Sequence, residues 1–590
     1  MLFLLIKWIY FTILSFIYGF SIAEQFKYLN IKTGSEKVHP SLLVFLGFAV
    51  ITTITAYLTL FMKVGACANL VMFIIGALLL IQYFRLIQDY INSMKEKFLQ
   101  LDKFKIVLIF STAMACLWIS VHNSLNNDEG GYYAQFILWT ETYPVVPGLV
   151  NLQDRLGFNS HWHLFSALTN LSWITHQESN EINGLVWLLA SIFFLTTITK
   201  ARDQHTDFLK LTFVFFIFLP IPYLFYVMIC PSADMLIMIL TWVLYSIWLD
   251  RAASSNLFEW DAHMVISIII SFFLITTKPS AIPLLIIPCS ALLYNFMKEN
   301  KKGVVLLTAF VTVMISIWFI RNVILSGYLI YPFDKIDLFN PDWKGLMFDL
   351  LRQKKRIYDF GFNLYGAKRI DVSAMPYFQK IYIWYTNNLL HYDRFLIACD
   401  IVSLLLILIF RKQFNKFQLF VFTVLYISIA FWFSQSPDPR FAYGPIGFMA
   451  MTAIYLLFYG KDKNKVISVK VINFFMMFIL LFQLTALFFF DTLENKMTYQ
   501  KKKEVTCIAK TSIFLMPMPY PTFPLDSMII NGQKYYYNMK NKGINWDAPL
   551  PAFHRTIHNS IKLRGKSLKD GFYHSTNDTT EIILIPYEMV

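Results

Sequence analysis

The sequence predicts an all-α polytopic membrane protein with about 14 transmembrane helices, interfacial helices and a small C-terminal extracytoplasmic α+β domain. Three observations predict it. The chain of 590 residues is 57% hydrophobic and 15% charged, with a mean hydropathy of +0.52, whereas soluble domains carry about 25% charged residues. Apolar runs of about 20 residues recur along the chain, the length that crosses a ~30 Å hydrocarbon core. The turns between them alternate between cation-rich and nearly charge-free, the signature of a chain crossing back and forth with its basic loops inside.

The expected spans are 2–22, 41–62, 67–87, 104–122, 183–200, 208–228, 232–250, 261–277, 280–297, 303–325, 394–410, 416–434, 442–459 and 469–490. Ser21-Ile22-Ala23 resembles a signal cleavage site, but Lys7 interrupts the first run instead of preceding it, so a retained helix is expected. Cations gather at Arg85 to Lys105, at Lys200 and Arg202, at Arg251, at Lys298 to Lys302, at Arg411-Lys412 and at Lys461 to Lys465. These turns are assigned to the cytoplasm. The loop 123–182, the turns at Asp234 and Lys278, the loop 326–393 and the tail 491–590 then fall outside. The chain divides accordingly into additional N-terminal helices (1–103), a transmembrane core (104–325), an outer loop (326–393), C-terminal helices (394–490) and an extracytoplasmic domain (491–590).

Within loop 123–182, Tyr133, Phe136, Ile137 and Thr140 recur at helical spacing with Gln135 and Glu141 off that face, which predicts a short amphipathic helix in the membrane interface, ended by Pro144, Pro147 and Gly148. The apolar run His161 to Ile174 is too short to span and reads as a second interfacial helix. In the tail, Asn531-Gly532 between two β-prone runs predicts a hairpin with a type I′ turn, and Glu581 to Pro586 reads as a further strand.

The net charge of +14 does not indicate nucleic acid, because the cations sit in short loops between apolar runs. Of six cysteines, only Cys507 lies in a clearly soluble stretch, so no disulfide framework or metal cluster is implied. No P-loop, dinucleotide fingerprint or GxSxG is present.

Chemistry concentrates on the outer side. Asp128-Glu129 follows a span, where a carboxylate can take a proton from an incoming hydroxyl; alternatively, it is a solvated helix-end pair. Asp234, closing Pro231-Ser232-Ala233-Asp234, faces the same side and could hold an acceptor, a sugar hydroxyl or a metal, or simply complement the dipole of the next helix. Arg155, Lys278, Arg321 and Arg440 are cations on the face where cations are scarce, suited to phosphate oxygens or to snorkelling toward head groups. His161 and His163, two apart, point away from each other on a helix, which favours hydrogen bonding to sugar or phosphate over a shared metal.

The order of span, Asp128-Glu129, two short helices and span resembles the GT-C superfamily of membrane glycosyltransferases, and is similar in layout to protein O-mannosyltransferases and the lipid A aminoarabinose transferase. Asp234 after Ile229-Cys230-Pro231 and the turn Thr277-Lys278-Pro279 extend the resemblance over roughly residues 104–330. The phrases Pro147 to Ser160, Arg321-Asn322 to Tyr331-Pro332 and Pro437-Asp438-Pro439-Arg440-Phe441 are also similar to a group of bacterial multi-pass proteins from surface-polysaccharide settings. Three extra spans precede the core, a departure from the better-known members.

The resemblance implies an inverting transfer on the outer face of the cytoplasmic (inner) membrane. A polyprenyl-phosphate-linked sugar would be the donor and a glycan, lipid or protein the acceptor, in surface-polysaccharide or glycoconjugate assembly. Asp128 or Glu129 would be the base; Asp234, Arg155, His161, His163, Lys278, Arg321 and Arg440 would bind substrate and lipid phosphate. The resemblance makes no cofactor certain and leaves a divalent cation open. An oligosaccharide polymerase or ligase using a polyprenyl-diphosphate donor, a lipid-linked-sugar flippase and a non-catalytic assembly subunit are the rival readings. A transporter would place ionisable residues mid-span, whereas this chain mostly keeps its charges at the span ends, Asp400, a few residues inside the span after Arg394, being an exception.

Overall fold

The computed structural model describes residues 1–31, 38–122, 126–197, 227–298, 300–362, 372, 374–459, 513–522, 524–538, 544–554, 556–575 and 582–584. The helices are α1 Leu2–Glu24, α2 Pro40–Leu58, α3 Ala66–Leu99, α4 Lys103–Ser120, α5 Ala134–Thr142, α6 His161–Asn170, α7 Ser172–Thr175 and α8 Asn183–Thr197. They continue with α9 Ala233–Ala253, α10 Ala262–Thr277, α11 Ile286–Met297, α12 Lys301–Ser326, α13 Met347–Phe362, α14 Tyr377–Asn387, α15 His391–Ile409, α16 Lys416–Gln435 and α17 Tyr443–Tyr459.

Among the described residues, 8 helical segments are long and apolar enough to cross a membrane, and α8, α10 and most of α17 are shorter apolar helices. The spans expected at 208–228 and 469–490 fall almost wholly outside the described residues, as does Cys507; each of the other expected spans falls on a helix. Two of them differ in form. α3 continues to Leu99, well past the expected end at 87, because Gln88 to Phe98 keeps good helix formers after hydrophobicity fades. The span expected at 280–297 begins as a 3-10 turn, Pro279–Leu285, where Pro283 lacks the N–H that an α-helix needs, and becomes α-helical only at Ile286.

Burial sorts the helices. The apolar window of α9 is 94% buried, so this helix runs through the middle of the bundle. That of α3 is 22% buried, and Phe73, Leu78, Ile81 and Phe84 point outward, as a helix facing lipid should. α1 and α2 cross at their glycines: a Cβ on Gly19 would lie 1.8 Å from Leu43 O, and one on Gly47 would lie 1.8 Å from Ser15 O. Only glycine allows the two backbones so close, the way helices gain dispersion energy where no hydrophobic effect drives them together.

The start of α1 lies at the same end as loop 123–182 and the tail. The amino group of Met1 donates to Ile513 O, and Lys7 Nζ donates to Ser179 O and Oγ. With the alternation of the following helices, this gathers Asp128, Asp234, Lys278, loop 326–393 and the tail at one end of the bundle, the end the sequence assigns to the outside.

Of the two helices expected in the interface, α5 and the part of the second that forms α6 pack inside the protein, whereas its end, α7, has no buried residue and exposes Trp173 and Ile174. Gln135, expected off the apolar face of α5, is fully buried and donates to Trp546 O and Ala548 O, both 2.9 Å away in the tail. All ten residues of α6 are buried, because α6 packs against α2 and α5 inside the protein. The amphipathic pattern is real, but the polar side meets another part of the chain instead of water.

The described tail is made of strands without an α-helix. Strand β1 (Asp526–Ile530) pairs antiparallel with β2 (Gln533–Tyr537), Ile530 opposite Gln533. The connecting residues Asn531 (φ 49) and Gly532 (φ 82) both take positive φ, as the type I′ expectation requires. β3 (Thr556–His558) pairs with β6 (Ile582–Leu584), which bears out the last expected strand, and β4 (Ile561–Leu563) pairs with β5 (Phe572–His574). Ile530, Tyr535, Phe553, Ile557, Ile561 and Phe572 form one apolar cluster with Phe136, Trp139, Val146 and Leu149, so the tail sits directly on loop 123–182.

Candidate active site

Asp128 precedes a single π-helical turn, Glu129–Tyr133, that leads into α5. Such turns widen a helix by one residue and recur where a side chain must be re-aimed. Here it sends the two adjacent acids to different surroundings. Asp128 Oδ1 accepts from Arg155 Nη1 and Asp128 Oδ2 from Arg440 Nη1, each at 2.9 Å. Arg155 arrives from a 3-10 turn, Asp154–Phe158, and Arg440 from another, Pro439–Phe441, more than 300 residues apart in sequence from the acid it meets (|i−j| = 312).

The network continues around Arg440. Its Nε lies 2.8 Å from Asp438 Oδ2, and its guanidinium stacks over Phe441 at 4.8 Å. Lys278 Nζ lies 3.6 Å from the same ring and forms an ion pair with Asp234 in the first turn of α9. Arg155 covers Tyr132 at 5.5 Å. Two arginines, one lysine and three carboxylates therefore surround one small area, of which Asp128 is 19% and Arg155 32% exposed at the side chain, open enough for a ligand to reach.

The charges shift one another. Burial pushes the Asp128 carboxyl up, but Arg440, Arg155 and Lys278 outweigh it and hold its pKa below the ordinary value. Burial lowers the Lys278 ammonium more than Asp234 restores it. Asp438 goes the other way, raised by burial in spite of Arg440. Asp128 is thus an ionised carboxylate at neutral pH, held between two guanidinium groups that could equally hold a phosphate.

Glu129 is 1% exposed and belongs to the tail. Tyr520 donates its hydroxyl to Glu129 Oε1 at 2.7 Å, and Asn180 donates to Tyr520 Oη at 2.6 Å. Gly130 O accepts from the backbone N–H groups of Asn545 and Trp546, both at 2.9 Å. A Cβ at Gly130 would lie 2.4 Å from Ile544 Cγ2 and 2.7 Å from Trp546, so glycine is needed for the tail to close here. Tyr520, Asn180 and Trp546 escaped sequence reasoning; the turn-rich run Met516 to Pro521 marked the segment but not its target.

The remaining expected residues lie elsewhere. His163 is buried against Tyr133, 4.6 Å between ring centroids, directly beneath the π-turn, and burial lowers its pKa to about 3. His161 is fully buried, and among the described residues neither ring nitrogen has a hydrogen-bond partner. Arg321 does not join the group around Asp128: it is 2% exposed, donating from Nε to Asn159 Oδ1 at 3.1 Å and from Nη1 to Thr59 Oγ1. Among the described residues no group of three or more His, Cys, Asp or Glu could hold a metal ion. Asp400 is buried within α15, one carboxylate oxygen without a hydrogen-bond partner among the described residues, far along the helix from this end.

Among solved structures, the chain is similar to the arabinosyltransferase EmbB from Mycobacterium smegmatis, at 10% identity over 66% of this chain and 34% of that one, with a TM-score of 0.36. The chain thus spans about a third of that protein's length. No curated protein matches it. The model of the family described as "Domain of unknown function (DUF8201)" matches residues 1–447, about three quarters of the sequence, and the chain belongs to that family.

Proposed function

We propose that the protein is a membrane glycosyltransferase that moves a sugar from a polyprenyl-phosphate donor to an acceptor hydroxyl on the outer face of the cytoplasmic membrane. The observation that carries this reading is the Asp128 carboxylate bridged by Arg155 and Arg440. A donor phosphate has the same charge and bidentate geometry as that carboxylate and competes for the same guanidinium groups. When the phosphate docks, the arginines are shared, and the hold that depresses the Asp128 pKa weakens. Asp128 then becomes a better base at the moment an acceptor is present.

In the transfer, the acceptor O–H proton passes to Asp128, the acceptor oxygen bonds to the anomeric carbon, and the bond from that carbon to the phosphate oxygen breaks. The phosphate leaves with its electron pair and is neutralised by Arg155, Arg440 and Lys278. Attack opposite the leaving group inverts the anomeric centre. Asp234 keeps Lys278 charged and oriented, and Glu129, tied to Tyr520, fixes the π-turn that aims Asp128. The motif resemblance over residues 104–330 supports the assignment of Asp128, Asp234 and Lys278.

The test uses Asp128→Asn, Glu129→Gln and Asp234→Asn, each scored for surface glycan and for retention of the lipid donor. Asp128→Asn is expected to abolish transfer while the donor still binds. Full transfer by all three variants would overturn the reading.

A further inference from the structure

Helix α14, in the outer loop 326–393, has two apolar faces that meet different surroundings. On one, Ile383 and Trp384 are buried. The Trp384 ring lies 6.0 Å from that of Trp432 and 5.0 Å from that of Phe433, both in the last turn of α16. The other carries Tyr377, Phe378, Tyr382 and Tyr385, each more than half exposed, Phe378 at 83%. At helical spacing these four fall within one arc, and the exposed polar residues Gln379 and Thr386, seven apart, form a narrow strip beside it. A face of large aromatic side chains on the outside of a protein marks a surface that something else covers.

The depth of α14 identifies the cover. Through Trp384 the helix packs on the outer end of α16, which is long and apolar enough to cross a membrane. Three residues on, it leads into α15, whose Phe395, Leu405 and Leu408 also point outward. The aromatic face therefore lies at the level where these two helices leave the bilayer. Three of its four side chains are tyrosines, whose rings favour lipid and whose hydroxyls need water or head groups, the composition of the aromatic belts at membrane surfaces. Arg394, in the first turns of α15, lies 4.7 Å over the Tyr385 ring and donates to Tyr385 O, and among the described residues no carboxylate pairs with it, as suits a cation beside lipid phosphates. We propose that the exposed face of α14 is seated in the outer leaflet, at the boundary between phospholipid head groups and acyl chains, where interfacial helices bury their apolar side. The inner face of the same helix braces the site: Trp384 Nε1 donates to Pro437 O at 2.6 Å and Trp432 Nε1 to Asp438 O at 2.8 Å, the two carbonyls just before the turn that carries Arg440. The proposal rests on the fold and not on the transferase reading.

The experiment reconstitutes the full chain in vesicles of phosphatidylcholine and phosphatidylglycerol. The background carries Cys67→Ser and Cys289→Ser, which remove the exposed cysteines among the described residues, and its residual labelling is subtracted. A nitroxide on Phe378→Cys is read by its collision rates with oxygen, which concentrates in lipid, and with a neutral nickel chelate, which stays in water. Leu405→Cys serves as the lipid reference and Lys534→Cys, exposed on the tail, as the water reference. The oxygen-to-nickel ratio at Phe378→Cys is expected to lie several-fold above that at Lys534→Cys, toward that at Leu405→Cys. At Gln379→Cys, one residue on, it is expected to fall back several-fold toward the water value. A ratio at Phe378→Cys equal to that at Lys534→Cys places the face in water, and exclusion of both reagents places it against protein, a second copy or another chain; either overturns the proposal. Equal ratios at Phe378→Cys and Gln379→Cys overturn it as well, because an interface distinguishes the two sides of the helix. Should Phe378→Cys fail to fold, Tyr382→Cys on the same face is read by the same criteria.

Discussion

Replacing Arg440 by Gln tests the central clamp. Arg440 makes one of the two 2.9 Å contacts to Asp128, and both side chains are about one-fifth exposed, 21% and 19%. Two unit charges about 4 Å apart at an effective dielectric of ~20 attract by roughly 4 kcal/mol. Desolvation and the neutralisation that Arg155 still supplies reduce this, and a charged hydrogen bond of this kind is worth about 1.5–3 kcal/mol net. Part of that is expected to appear as an upward shift of the Asp128 pKa. The sign follows from the present state. The folded pKa of Asp128 lies below the ordinary value, so the carboxylate stabilises the protein above the unfolded pKa near 4, and that contribution is lost as pH falls through the folded pKa. Arg440→Gln should therefore lower the thermal midpoint in detergent at pH 7.5, and the gap to wild type should hold down to about pH 4 and narrow only below it. In the Asp128→Asn background, Arg440→Gln should cost about 1–2 kcal/mol less than in the wild type, a coupling well above the ~0.5 kcal/mol scatter of independent sites. Shifts that simply add would refute the clamp.

Other outcomes follow from the tail. Tyr520→Phe removes the donor to buried Glu129 and should cost about 1–3 kcal/mol, measured as a lower thermal midpoint, with transfer activity reduced but not abolished. Gly130→Ala places a methyl 2.4 Å from Ile544 and should release the tail, seen as faster proteolysis between 513 and 584 while the helical bundle stays intact by circular dichroism. Glu178 shares the Asn170 amide with Glu141, and burial raises its pKa to about 7. Because the folded state then holds a proton that the unfolded chain has released, stability should fall as pH rises from about 4.5 to 7; Glu178→Gln should flatten that slope in a detergent melting series.

How much was legible in the sequence differs by kind of information. Apolar runs placed α1, α4 and α12 within a residue or two, because bilayer thickness imposes a length that no tertiary contact overrides. Asn531-Gly532 announced its hairpin because φ > 0 at both positions is a local demand. The meeting of Asp128, Arg155, Arg440, Lys278 and Asp234 was legible in part: orientation alone put their turns at one end. Arg321 passed the same test and lies apart, since sharing an end of a bundle is not sharing a cavity. The interfacial reading of α5 and α6 failed for a related reason. A polar residue on a short helix says that something polar faces it, and Gln135 meets backbone carbonyls of the tail rather than water.

The closure of the tail on the π-turn also sets an order of events. Gln135 and Trp546 are 411 residues apart, and ribosomes add roughly 5–20 residues per second, so Gly130 and Gln135 wait about 20 to 80 s for their partners to be made. During that interval Asn545 and Trp546, which donate to Gly130 O, and Tyr520, which donates to Glu129, are not yet made. The surroundings of Asp128 are therefore completed late in synthesis, because Gly130 and Gln135 meet Asn545, Trp546 and Ala548 only once the chain has been made that far.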